Sequence, residues 1–454
     1  MRYLIGLLML LFMPLSAEAT NFFVKPTASG SGTGADWTNA LGSTFTPARG
    51  SGNTYYLADG AYGTKTFSTS GSSPVINIKK CTTTDGVSSA AAGYVSTLCD
   101  GQATWGTITF GSSGWVFDGV TGGGPGQFTN TALFGFFATI TTNDGLFFNG
   151  GISNITVRHY GVQGPNSANS SAAMELTGGG YSDITCSYCY FNGIGFIHFY
   201  VRSLTRFLIE YSYIGTFHFG QASHSEIMSG GDSNGAIFRY NIITHISSTG
   251  GLMYASLPTF NPGLEAYGNV FYKIPGSTAW EAANGIVGGW TGGNICGNTT
   301  DPGCEQFHHA RVYNNTFINT DSGGCALAEV MLTVSDNIAR NNLFSGVSET
   351  CAGSNVWGTR THNHFASSTA FGTSTSTGAV TFTDTTNFDF TPTAPTTAGF
   401  TLAAPYNTDM FGNVRGLDGT WDRGAIEVCT SGCGGGGGPS PNIFAPARNL
   451  RVQP

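Results

Sequence analysis

Seven short segments of this chain share one spacing of apolar and polar positions. Their anchors are Tyr160, Cys189, Ser212, Asn241, Asn269, Asn315 and Asn342. Three residues before each anchor stand Val157, Cys186, Ile209, Phe238, Ala266, Val312 and Ala339. Two residues after stand Val162, Phe191, Ile214, Ile243, Phe271, Phe317 and Phe344. Within each segment apolar and polar positions alternate, which is the period of a half-buried strand. The anchors recur at steps of 29, 23, 29, 28, 46 and 27 residues. Repetition on that scale marks a stacked architecture, in which one turn cannot bury its apolar side alone. The spacing predicts an all-β fold, a single-stranded parallel β-helix (a solenoid) of about eight to ten coils. The four Asn anchors are expected to form a structural amide ladder at one turn.

Composition agrees with that reading. Of 454 residues 67 are Gly and only 10% are charged, and Ser, Thr and Asn abound. Such a chain suits short strands joined by tight turns. Its 40% apolar content excludes global disorder. Its outer faces must be covered by hydroxyl, amide and aromatic groups, which suit sugars. The net charge of -8 excludes the basic stripe of a nucleic-acid binder.

Arg2, the apolar run Leu4 to Leu15 and the box Ala17-Glu18-Ala19 predict a signal peptide over 1–19 and a secreted protein. No later stretch reaches the ~20 apolar residues of a membrane span. Residues 20–72 are expected to form an N-terminal cap region, and 73–428 the β-helix, irregular from about 366. The Cys/Gly/Pro-rich segment 429–454 is expected to be a flexible tail. Proximity pairs Cys81 with Cys99, Cys296 with Cys304, Cys325 with Cys351, and Cys429 with Cys433, while sequence alone fixes no connectivity. For Cys186-x-x-Cys189 two readings stay open: a small buried core residue at 186, or a zinc site that lacks its second ligand pair nearby.

Two stretches carry a resemblance. Phe22-Phe23-Val24-Lys25-Pro26, a Gly/Ser loop with Asp36-Trp37-Thr38-Asn39-Ala40, the run Tyr55 to Tyr62, and Val75-Ile76-Asn77-Ile78 follow one another at the start. Near the end stands Asp422-Arg423-Gly424-Ala425-Ile426-Glu427. The order resembles the opening strands and the short closing strand of secreted right-handed parallel β-helix proteins of the pectate-lyase-like superfamily. The resemblance implies the right-handed β-helix fold over about residues 22–428. It leaves the chemistry open, because that superfamily holds lyases, hydrolases, epimerases and non-enzymes. No catalytic motif of the family transfers residue by residue.

A second register lies 13 to 15 residues before five of the anchors, with a sixth member ahead of the long insertion before Asn315. Met174-Glu175-Leu176, Ile197-His198-Phe199, Ser225-Glu226-Ile227, Met253-Tyr254-Ala255, Trp280-Glu281-Ala282 and Ala328-Glu329-Val330 each place a central residue between mostly apolar ones. Alternation would turn those central residues outward, about 4.8 Å apart along the stack. The expected outward row is Glu175, His198, Glu226, Tyr254, Glu281 and Glu329, with His224 beside it on the strand of Glu226. The long insertion before Asn315 leaves the Glu281 slot open to Ile286 or Val287. Four of the nine Glu beyond residue 19 fall in this row.

Such a row supplies acid–base chemistry. His is half-charged near neutrality, and a carboxyl beside another is pushed upward by like charge. Glu175 and Glu226, two coils apart, would stand roughly 9.6 Å apart, near the ~6.5–9.5 Å of inverting glycosidases. A lyase is equally accommodated, with Ca2+ or an Arg neutralising a uronate carboxylate. The expected catalytic residues are Glu226, His198, His224, Glu175 and Tyr254, with Trp290, Glu281 and Arg202 contacting substrate. Arg239 is expected to face Glu210 one coil away as a plain ion pair. No cofactor is fixed by the sequence, and Ca2+ is a candidate neutraliser. The expected partner is a polysaccharide, and the oligomeric state is not encoded legibly. The leading expectation is an exported polysaccharide lyase or glycoside hydrolase. The alternative is a non-catalytic carbohydrate-binding or cell-surface structural β-helix.

Overall fold

In the computed structural model the chain winds as one parallel β-helix. The structure describes residues 19–167, 171–215, 227–231, 234–244, 251–254, 263–276, 286–289, 309–319, 321, 325–328, 337–350, 358–366, 370 and 372–430. A 12-stranded parallel sheet runs the length of the coil, from Asn21–Val24 to Thr359–Thr361. A second parallel sheet runs from Phe136–Thr139 through Tyr160–Gln163 to His364–Phe365. A third runs from Leu146–Phe148 through Met174–Leu176 and Phe199–Arg202 to Ser348–Thr350. The long strand Ala103–Phe110 joins these last two, pairing with the second at Ala103 to Trp105 and with the third at Ile108 to Phe110. The coils outnumber the eight to ten expected. Asn21–Val24, Thr54–Leu57 and Ile76–Lys80 pair directly into the first sheet, so the leading strands are coils in their own right.

The anchor register is reproduced coil by coil. The residues three before the anchors stack as Val157, Cys186, Ile209, Phe238, Ala266, Val312 and Ala339, all 0% exposed. Those two after stack as Val162, Phe191, Ile214, Ile243, Phe271, Phe317 and Phe344, and Phe365 continues the row. The last four are stacked rings, with centroids 4.8 to 5.3 Å apart. Offset ring stacking at this spacing adds to the burial of area.

The turn between the first and second sheets explains the anchors. The residue just before each one is left-handed: His159, Tyr188, Tyr211, Tyr240, Gly268, Asn314, Asn341 and His362 have φ between 49° and 65°. That conformation reverses the chain and points the anchor inward, where it satisfies the turn's backbone. Asn241, Asn269, Asn315 and Asn342 each accept from the preceding rung's backbone N–H and donate to a carbonyl one coil back. Asn363 adds a further rung, its Oδ1 accepting from Asn342. The outer edge of the same turn is a pile of rings, His159 on Tyr188 on Tyr211 on the buried Tyr240, 4.9 to 5.1 Å apart. Gly268 ends the pile, because a Cβ there would meet the Tyr240 ring at 2.6 Å.

The C-terminal segment folds back along this edge. Tyr406 packs against Tyr267 and Tyr313, each at 4.9 Å, and its hydroxyl donates to Glu265. Asp422 to Glu427, expected to be a strand, is instead an irregular, fully buried segment. It is held by side chains. Glu427 accepts from the N–H groups of Gly416 and Asp422, and Asp422 from those of Thr396 and Val428.

Cys81 and Cys99 form the expected disulfide. Cys186 and Cys189 are bonded to each other, which replaces the zinc reading, while Cys186 keeps its expected place in the buried core, 0% exposed. The left-handed Tyr188 brings the two thiols together across the turn. Cys429 is disulfide-bonded, while Cys296, Cys304, Cys351 and Cys433 lie outside the described residues. Arg239 faces Glu210 as expected, at 2.5 Å.

Candidate functional site on the third sheet

The outward face of the third sheet differs from the expected row by a slip of register. Glu175 pairs with Phe147 on one side and Tyr200 on the other. Tyr200 then pairs with Ser229, Ser229 with Met253, Met253 with Gly288, and Gly288 with Ala328. His198 therefore does not stand above Glu175. It precedes the strand Phe199–Arg202, is wholly buried, and its carbonyl accepts from Met174 N at 2.9 Å. The strand begins at Phe199, two residues later than the Ile-His-Phe triplet suggests, and within it Phe199 and Val201 turn inward and Tyr200 and Arg202 outward. Tyr254 pairs with Gly230 and Gly289, the register position held by Leu176 and Val201 in earlier coils. Gly288, not Ile286 or Val287, takes the slot foreseen for Glu281. Glu226, His224, Glu281, Trp290 and Glu329 lie outside the described residues.

What the coil brings to Glu175 is a carboxyl from the turn before it. Asp144 precedes the strand Leu146–Phe148, and its side chain hydrogen-bonds that of Glu175. Asp144 Oδ1 also accepts from Ala172 N at 2.7 Å. Glu175 Oε1 accepts from Thr177 Oγ1 at 2.9 Å. Burial, and then the neighbouring Glu175, push the Asp144 carboxyl up from 3.8 to about 7. Two carboxyl groups in direct hydrogen bond hold one proton between them, because like charges at that separation cannot both persist. Asp144 is the group held toward its protonated form.

Both groups are half-buried, and the outward neighbours are polar or aromatic. Tyr200 stands beside Glu175 in the next coil, and the Arg202 guanidinium lies 5.7 Å from the centre of its ring. Continuing the pairing of Leu176 with Val201 sets Thr177 beside Arg202. On the inner side of the strand end, Tyr181 Oη accepts from Gly178 N and donates to Phe148 O, both at 2.8 Å. Burial first, and the Glu175 charge second, raise its pKa. The patch thus offers a proton donor, a proton acceptor and a cation on one face of adjacent coils. Among the described residues no group of three or more His, Cys, Asp and Glu converges as a metal site would.

No helix among the described residues is long and apolar enough to cross a membrane. No protein-family model matches the chain, and no curated protein does. Among solved structures it is similar to pectate lyase Pel9A, at 15% identity and a TM-score of 0.34, over 91% of this chain and 97% of that one. It is also similar to a PL6 family alginate lyase, AlyGC, at 14% identity and a TM-score of 0.38. That alignment covers 82% of this chain and spans 55% of the alginate lyase. At these values neither likeness bears on which residues of this chain react.

Proposed function

We propose that this chain is an exported enzyme that cleaves a polysaccharide on the outward face of its third sheet, with Asp144 as acid and Glu175 as base. The observation that carries the reading is the hydrogen-bonded carboxyl pair set among Tyr200, Thr177 and Arg202. The disulfides Cys81–Cys99 and Cys186–Cys189 suit an oxidising compartment. Arg202, beside the pair in the next coil, favours elimination over hydrolysis, because it can neutralise a uronate carboxylate. For elimination, Glu175 takes the proton alpha to a uronate carboxylate, the ring carbons form a double bond, and the glycosidic C–O bond breaks. The departing oxygen takes the Asp144 proton, and Glu175 returns a proton to Asp144 across their hydrogen bond. Arg202 neutralises the uronate carboxylate while the alpha proton leaves. Glu226 and His224 belong to the same proposal, because they precede the strand Met228–Gly231 whose Ser229 neighbours Tyr200.

The test is turnover on a panel of acidic and neutral polysaccharides, following the ultraviolet absorbance of unsaturated uronates and the reducing ends. The expected outcome is unsaturated product from an acidic polymer. The expected loss is at least about a hundredfold in Asp144→Asn and in Glu175→Gln. Reducing ends without unsaturation would make the enzyme a hydrolase. Binding without either product would make the coil a carbohydrate-binding scaffold.

A further inference from the structure

The last coil holds a second polar cluster that the reaction above does not use. Arg340 and Thr361 are paired neighbours on the first sheet, and His362 follows in the left-handed turn. Phe400 lies against Arg340 and His362. Its ring centre is 4.7 Å from the Arg340 guanidinium and 5.4 Å from the His362 ring. Asn341 fixes Phe400 at both backbone groups, donating to its carbonyl at 2.7 Å and accepting from its N–H at 2.8 Å. Phe400 is itself 40% exposed, so the cluster sits at the surface. Beneath it Arg423, 3% exposed, donates to the carbonyls of Asn363 and Ala398 and to Ser376 Oγ.

Four polar atoms here are buried without a hydrogen-bond partner among the described residues: Arg340 Nε, Thr361 Oγ1, His362 Nδ1 and Arg423 Nε. Leaving such buried groups unpaired is unfavourable. Two of them belong to arginines, permanent cations in a chain whose net charge is -8. Burial first, then Arg423 and Arg340, hold the His362 imidazole below its ordinary pKa, with no carboxylate opposing them among the described residues. Donors, positive charge and no facing acid are what an oxyanion completes. We propose that Arg340, Thr361 and His362 form a binding site for an oxyanion group, distinct from the carboxyl pair. Sulfate, phosphate and a sugar carboxylate share the required chemistry. The ligand is either a free anion or a charged group of the polymer engaged at the last coil.

Histidine-selective NMR on the whole chain tests this, with sodium sulfate titrated against sodium chloride at matched ionic strength. The His362 titration midpoint is expected to start below the ordinary histidine value in chloride and to rise saturably with sulfate. Arg340→Gln is expected to weaken the sulfate response at least about tenfold, with Thr361→Val weakening it less. An unmoved His362 midpoint overturns the proposal, as does an equal response in Arg340→Gln. An oligouronate is the second arm. Stronger binding than sulfate, lost in Arg340→Gln but kept in Asp144→Asn, identifies the polymer as the source. A sulfate response without an oligouronate response identifies a free anion. Because Asp144→Asn disables only the carboxyl pair, failure of the lyase reading leaves this outcome readable.

Discussion

Asn269 Nδ2 donates to Asn315 Oδ1 at 3.0 Å, joining residues 46 apart in sequence across one turn of the coil. The Asn269 oxygen accepts in turn from both the backbone and the side chain of Asn241. Each rung therefore satisfies buried groups on two neighbouring coils. Asn269→Ala leaves Asn241 N, Asn241 Nδ2, the Phe238 carbonyl and Asn315 Oδ1 short of a partner. At about 1–3 kcal/mol for each unsatisfied buried group, the substitution is expected to cost about 3 kcal/mol or more. Asn269→Asp is expected to cost further, because its second oxygen faces two acceptors. Urea unfolding checks both, with Arg206→Ala, in an exposed ion pair, as a control whose midpoint does not move. Equal midpoints for Asn269→Ala and the control would show that the ladder contributes nothing.

The ladder was legible because its spacing is local. An apolar residue three before and two after each anchor can be counted without knowing any loop. Asn363 escaped because Arg360 occupies the position three before it, where an apolar residue would have marked the coil. The third sheet was not legible to the same depth. The chain between second and third sheets changes length from coil to coil, so nothing fixes the register there. Ile197-His198-Phe199 has an apolar-polar-apolar pattern that fits two frames, and the structure takes the later one. Asp144 carried no signal at all. It sits in a turn, and only the stacking of one coil on the next brings it to Glu175.

Cys81 and Cys99 close a loop of 18 residues and are 0% and 5% exposed. Constraining a loop of that length in the unfolded chain is worth about 3 kcal/mol. The double variant Cys81→Ala/Cys99→Ala is expected to lose about that much stability in urea without reductant, and wild type in reductant is expected to lose at least as much, because Cys186–Cys189 opens too. Stability equal to wild type in both would assign the bond no role in holding the first coils.

Asp144 titrating near 7 gives the proposed reaction a pH signature. The acid must hold its proton, so kcat/KM is expected to fall above pH about 7 with an apparent value belonging to the pair. Asp144→Asn keeps a donor toward Glu175 and an acceptor for Ala172 N, and it cannot supply a proton. Its residual activity is expected to lose the alkaline limb. A pH–rate profile for wild type and variant reads this directly, and an unchanged limb in the variant would place the titrating acid elsewhere.

Glu427 makes the folded state itself sensitive to pH. Its carboxyl is buried beside Arg415, 3.5 Å away, and accepts two backbone N–H groups, yet burial pushes it from 4.5 up to about 7. Between those values the folded chain keeps a proton that the unfolded chain has released. Stability from this group is therefore full below pH about 4.5 and declines as pH rises toward about 7. Asp409 and Asp422, also raised by burial, act in the same direction. His362 and His364, held below the ordinary histidine value by burial, act in the opposite one. Their contribution is lost as pH falls below about 6.5. Because the two trends overlap, the difference between wild type and Glu427→Gln isolates the first. The amide cannot accept from both Gly416 N and Asp422 N, so the variant is expected to be less stable at every pH. Its deficit is expected to shrink as pH rises from about 4.5 to 7, since only wild type loses stability by Glu427 ionisation. Thermal midpoints measured at four or five pH values across that window decide it. A deficit that stays constant would mean that Glu427 is ionised throughout, paired with Arg415 as an ordinary buried salt bridge.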